Sequence, residues 1–228
     1  MAPGRDPERR AGSSARGPGC ACAIGNEFGE RQARRDLRAF RRSGPSRTTA
    51  WLIEGLTGDG VRGLTVLDIG AGVGAVHLAL LRAGAAAAVD VDGSPAYVTA
   101  AREEAARQGL DDRVIQRAGD FVELAGSVDP ADLVALDRVV CCYPDMRELV
   151  GLSVARARRR YGLVYPRDPG WIRLLGGVLN GASRLLGRRS RTWVHRTADV
   201  DAIVRGAGFA PVCRRSTLLW QVVVYERA

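Results

Sequence analysis

The chain contains no lysine: its positive charge rests wholly on 34 arginines, set against 25 acidic residues for a net charge of +9. A basic chain can bind nucleic acid. Here, however, arginine accompanies a general richness in alanine and glycine of the kind a GC-rich coding sequence imposes, so its abundance names no partner. The arginines are scattered, with short runs at 34–35, 41–42, 158–160 and 188–191, and aromatics make up only 6% of residues. They are not interleaved with the basic runs as a base-stacking surface requires, so nucleic acid is not the expected substrate. No apolar run approaches the roughly 18 residues of a membrane-spanning helix. The N-terminus has arginines but no apolar core of a signal peptide, which argues against secretion. Five cysteines, an odd number without regular spacing, do not form a disulfide framework and point to a reducing cytoplasm. The length suits one domain with a short arm.

Against these absences stands one informative stretch, Val66-Leu67-Asp68-Ile69-Gly70-Ala71-Gly72-Val73-Gly74, with Asp92 eighteen residues after its last glycine. The apolar run 64–69 reads as a strand buried on both faces. Glycines at 70, 72 and 74 allow a tight turn and close approach of a ligand to the backbone. Residues 75–82 have helical spacing, Gly84 ends that helix, and 86–91 form a second strand with Asp92 at its tip. Ligands of open α/β sheets bind at such strand ends. Gly70, Gly72 and Ala75 also satisfy G-x-G-x-x-[GA], so an NAD- or FAD-binding oxidoreductase is a competing reading. Three features oppose it. Asp68 precedes the loop, where it would repel a pyrophosphate. Gly119-Asp120-Phe121 adds an acid and an aromatic at the same sheet edge. A chain of 228 residues also leaves little room for a substrate domain.

The combination resembles the class I S-adenosylmethionine-dependent methyltransferases. Residues 67–74 match that family's D-x-G-x-G-x-G loop, Asp92-Gly93-Ser94 its D-x-S, and Gly119-Asp120-Phe121 its G-D-[FA]. The resemblance covers residues 62–228. It implies an α/β fold: a Rossmann-like, seven-stranded, mostly parallel sheet with an antiparallel last strand, helices on both faces and an N-terminal helical arm. It also implies S-adenosylmethionine as cofactor, which carries no phosphate and so tolerates Asp68. Gly70, Gly72 and Gly74 would pack against its methionine part. Asp92 would accept from both ribose hydroxyls, and Asp120 from the adenine amino group, with Phe121 offering backbone or ring. Asp68 would organise the loop and the polar groups near the methionine amine. The layout is also loosely similar to the magnesium-protoporphyrin O-methyltransferase group, a likeness that transfers no substrate.

Residues 1–19 read as a disordered tail rich in Gly, Pro, Ser and Arg, and 20–61 as a helical arm or cap. Its two helices lie at about 28–42 and from Ser46 or Thr48 to about 56. In the methyltransferase domain, 62–228, further helices are expected at 95–108, 146–158 and 197–207, and further strands near 113–116, 132–141 and 161–165. An amphipathic segment is inserted at about 171–191. Residues 209–219 and 221–227 read as a closing antiparallel pair.

Methyl transfer needs an aligned nucleophile and, where that nucleophile carries a proton, a base. The segment from Leu136 to Asp145 (LDRVVCCYPD) brings polar groups to the fourth strand's end. It lacks both the [DN]-P-P-[YF] signature of base-amino methylation and the Pro-Cys nucleophile of cytosine-C5 enzymes. Asp137 and Tyr143 are the candidates to hold or deprotonate an acceptor. His195, one of two histidines, is a third, with a suitable unperturbed pKa; His77 reads as structural. Arg167, or the basic segment 173–191, could recognise an anionic acceptor or a membrane surface. Cys20, Cys22, Cys141 and Cys142 raise a metal or arsenite site, although adjacent cysteines fit zinc spacing poorly, and no metal is assigned. The expected function is methylation of an oxygen or nitrogen of a small molecule. An RNA or protein methyltransferase and a non-catalytic cofactor-binding protein are the alternatives.

Overall fold

The computed structural model describes residues 29–172, 174, 176–177, 181 and 192–228. The tail 1–19 and most of the inserted segment lie outside them. Seven strands form one sheet in the order β3-β2-β1-β4-β5-β7-β6: β1 (Thr65–Ile69), β2 (Ala87–Asp92), β3 (Val114–Ala118), β4 (Ala131–Asp137), β5 (Ala157–Pro166), β6 (Phe209–Ser216) and β7 (Trp220–Arg227). The first five run parallel to one another, and β7 runs antiparallel to both β5 and β6. The strand order reverses beside β1, with β2 on one flank and β4 on the other. The crevice at that reversal is where open α/β sheets place ligands.

Alternation along the strands sends side chains into two apolar cores. Leu67, Ile69, Val134 and Leu136 face one, with Tyr161 and Tyr225. Val66, Leu133 and Ala135 face the other, with Leu52 and Leu56 of α2 (Arg47–Thr57) and Leu78 and Leu81 of α3 (Ala75–Arg82). Asp68 and Asp90 share the second face, in register with each other on β1 and β2. Gly162 lets α2 settle on β5: a Cβ there would meet Leu52 Cδ1 at 2.5 Å. Ser46 caps α2, accepting from Thr49 N at 3.3 Å, and Ser94 caps α4 (Pro95–Arg107), whose first residue is proline. The arm helix α1 (Glu30–Ser43) buries Ala33 and Leu37 against Tyr97 and Ala100 of α4.

Two expected boundaries move. The fourth strand stops at Asp137 because Arg138 turns left-handed, at φ 62°, and residues 140–142 then make a 3-10 turn. Helix α6 (Met146–Val154) ends before the arginine run. Residues 158–160 instead belong to β5, whose first residue, Ala157, pairs with Ala131. Two further helices are α5 (Phe121–Leu124) and α7 (Thr197–Gly206). Among the described residues no helix is long and apolar enough to cross a membrane.

Candidate active site

A cleft of about 710 Å³ opens at the carboxyl ends of β1 to β4, with α1 and the start of α2 along its other side. The loop after β1 forms its floor. Gly70 (φ 66°) and Gly72 (φ 59°) take left-handed conformations open to glycine. Gly70 also has no room for a side chain, since a Cβ would lie 2.4 Å from Val139 Cγ2. Gly72 N donates to Asp92 Oδ2 at 2.9 Å, and Ser94 N donates to Oδ1 at 2.8 Å. Burial pushes the Asp92 carboxyl up to about 6, in spite of those two donors. Asp120 caps α5, its Oδ1 accepting from Val122 N at 3.0 Å, while Tyr143 donates its hydroxyl to Oδ2 at 3.1 Å. Phe121 lines the cleft from a buried position.

Asp68 and Gly74 stand apart from the cleft lining. Asp68 is fully buried, and its Oδ2 accepts from His77 N at 3.2 Å and contacts His77 Nδ1 at 2.9 Å. Gly74 (φ 82°) starts α3, and a Cβ there would strike the His77 ring at 2.8 Å. The pair therefore braces the loop from beneath. Burial pulls the His77 pKa down most strongly. The hydrogen bond and charge of Asp68, with the charge of Asp90, override it and leave the ring raised.

The arm helix is tied across the opening. Tyr97 donates its hydroxyl to Asp36 at 2.5 Å, and Gln32 donates to the same carboxylate at 2.9 Å. Arg41 bridges to Glu103 at 2.8 Å and to the buried Glu104 at 2.7 Å. The Tyr97–Asp36 and Arg41 pairs join residues 61 to 63 apart and belong to no local motif, so sequence reading missed them. Only the polar residues on an otherwise apolar helix face hinted at them.

The rest of the cleft, beside β4, holds a second cluster. Thr49 donates its hydroxyl to Asp137 Oδ2 at 2.6 Å. Arg138 Nε approaches Asp137 Oδ1 to 3.4 Å, an ion-pair contact that leaves Oδ1 without a hydrogen bond. Burial raises the Asp137 carboxyl, with Arg138 and Thr49 partly opposing it. Asp137 and Tyr143 thus share one cleft, but the Tyr143 hydroxyl is engaged with Asp120. His195 is elsewhere: it lines a separate pocket with Pro144, Asp145 and Arg147, and its Nε2 lies 3.0 Å from the Tyr143 carbonyl oxygen, a contact in which the ring donates. Burial lowers its pKa. Arg167 donates to the Thr217 carbonyl at 3.3 Å and does not line the cleft. Cys142 lines it and Cys141 is buried beneath, their sulfurs 3.9 Å apart. Cys20 and Cys22 lie outside the described residues. Among the described residues no three His, Cys, Asp or Glu side chains cluster as metal ligands would.

Comparison with known proteins agrees with this architecture. Residues 66–160 match the family model of a methyltransferase domain. The ribosomal protein L11 methyltransferase of Edwardsiella ictaluri is 32% identical over 118 residues, 49% of this chain and 40% of that protein. The enzyme of the same name from Halorhodospira halophila is 41% identical over 78 residues, 34% of this chain and 27% of the relative. The chain thus spans less than half the length of these curated relatives. Among solved structures, magnesium protoporphyrin IX methyltransferase from Synechocystis, with S-adenosylhomocysteine bound, superposes with a TM-score of 0.73 at 20% identity, covering 92% of this chain and 100% of that one. An O-methyltransferase family protein from Burkholderia thailandensis gives 0.66 at 20% identity, covering 87% and 60%. The likeness to a methyltransferase domain thus covers residues 66–160, from β1 into β5, and the solved structures share the seven-stranded fold of the whole sheet.

Proposed function

We propose that this methyltransferase domain binds S-adenosylmethionine along the β1–β3 edge of the cleft and methylates an oxygen or nitrogen of a small molecule held beside β4. The observation that carries the reading is the pairing of two strand-tip carboxylates, Asp92 and Asp120, with a glycine loop whose backbone lies open to the cleft. This donor set fits the cofactor. Both acids retain lone pairs beyond those used by Gly72, Ser94, Val122 and Tyr143, and can accept from ribose hydroxyls and an adenine amino group. Gly72 leaves space where a side chain would intrude, the nearest atom to its missing Cβ being Tyr97 Cδ1 at 4.0 Å. The acids also suit a ligand with a net positive charge. When bound, the cofactor supplies a methyl group already activated on a sulfonium.

The residues of the chain then have three tasks. The glycine loop and the two acids orient the cofactor. Helix α1, tied through Asp36 and Arg41, keeps bulk water from the cleft. Asp137, its proton affinity raised by burial, holds or accepts a proton from an acceptor that carries one. Tyr143 supports Asp120, and His195 supports the Tyr143 backbone, rather than either acting as base.

Calorimetric titration with S-adenosylmethionine, with NADH as control, tests the reading. Binding of the first alone supports it; binding of NADH alone returns the loop to a dinucleotide role. A protein acceptor is the second reading, favoured by the ribosomal protein methyltransferases among the relatives. Transfer of labelled methyl to protein in a lysate, with none to small molecules, would establish it instead.

A further inference from the structure

We infer that Arg138 selects the acceptor, and that the acceptor is a small molecule bearing a carboxylate; this rests on the methyltransferase reading above. Arg138 is the single non-glycine residue with positive φ among those described. Left-handed backbone disfavours an L side chain, and such conformations persist chiefly where a site requires them. A glycine would sit there without strain, so the arginine is explained by what its side chain does.

That side chain is fixed along one edge. Nη2 donates to Ser46 Oγ and, at 3.1 Å, to Thr49 Oγ1; Nε faces Asp137; and the guanidinium lies 5.7 Å from the Trp220 ring centroid. Nη1 has no hydrogen-bond partner among the described residues, and the side chain is 41% exposed along the cleft. A preorganised guanidinium with one nitrogen unspent is a receptor for an anionic oxygen. The other arginine of the cleft wall, Arg35, contacts Asp36, whereas Arg138 sits beside the candidate base.

Charge sets the class of anion. Four carboxylates line the cleft (Asp36, Asp92, Asp120 and Asp137) against two arginines. That surplus suits a cationic cofactor and opposes a phosphate dianion. A monoanionic carboxylate pairs with Arg138 and brings half the charge of a phosphate dianion against the negative surplus that the cofactor only partly offsets.

The test supplies wild type, Arg138→Gln and Arg138→Gly with S-adenosylmethionine and a panel of small carboxylic acids. Each acid is run beside its primary amide, and S-adenosylhomocysteine is measured. Acids should be preferred by wild type. Both variants should lose about 10- to 100-fold in kcat/KM for the acid, carried by KM, and should lose clearly less for the amide, so that the acid-to-amide ratio falls. Cofactor affinity is the control for intact folding in both variants. Preference for neutral or cationic acceptors, no turnover of any acid, or an acid-to-amide ratio equal in all three proteins overturns the inference. Absence of cofactor binding by wild type overturns both this inference and the reading beneath it, so the two failures are distinguishable.

Discussion

Replacing Asp90 by asparagine should stabilise the protein in mild alkali and change little in acid. Asp90 is fully buried on β2 beside Asp68, and neither of its oxygens has a hydrogen-bond partner among the described residues. Burial drives its carboxyl from 3.8 up to about 8; the nearby His77 charge opposes this, and the charges of Asp68 and Asp92 add to it. A carboxyl raised in the fold binds its proton more tightly folded than unfolded. Its contribution is therefore complete below pH 3.8, falls as pH rises and is lost by about pH 8. Each unit corresponds to about 1.36 kcal/mol, so wild type should lose up to about 4 kcal/mol between about pH 5 and about pH 8 through this group. That is a large share of the roughly 5–15 kcal/mol that holds an ordinary domain folded. Asparagine keeps the shape and cannot ionise. His77 is raised too, which also weakens the fold as pH rises, but it remains in the variant. The difference between the two proteins is therefore the quantity to follow. Urea unfolding across that pH range measures it. A difference independent of pH, or a variant less stable than wild type at the alkaline end, would refute the argument.

Three further outcomes are expected. Asp92→Asn should weaken S-adenosylmethionine binding by about 10- to 100-fold in calorimetry while the protein stays folded, because charge-assisted hydrogen bonds become neutral ones; unchanged affinity would remove Asp92 from the cofactor site. Gly162→Ala should cost about 1–3 kcal/mol in chemical denaturation, since its Cβ would sit 2.5 Å from Leu52 Cδ1 and 3.1 Å from Leu56 Cδ2 in a packed core. Tyr97→Phe cuts the bond to Asp36 and should speed both proteolysis within α1 and release of bound cofactor; equal rates would mean that the apolar contact of Leu37 and the Arg41 bridges to α4 hold the arm without it.

The glycine loop and the acids at 92 and 120 were legible because each is a local event. A strand, a turn that needs positive φ and the next strand's tip are consecutive in the chain, so residue type and spacing carry the signal. The helix at 75–82 was read to the residue for the same reason. Reading failed where the deciding partner was distant. Arg158 looked like the end of a helix and the fifth strand was expected from 161, but pairing of β5 with β4 and β7 starts the strand at Ala157. Asp68, expected to organise the loop, does so through His77, a partner that the sequence reading had not paired with it. His195 and Arg167 share the chemistry of a site without reaching it.

What the sequence by itself determined is the kind of sheet and the glycine-loop edge of the cleft, since periodicity and turn chemistry act within a few residues. What only the tertiary structure decided is the β4 side of the cleft: Thr49 meets Asp137 across 88 residues, and Ser46 meets Arg138 across 92. Those meetings follow from α2 seating on Gly162 and from one left-handed residue ending β4. Such contacts depend on how layers pack in space, and no spacing along the chain encodes them.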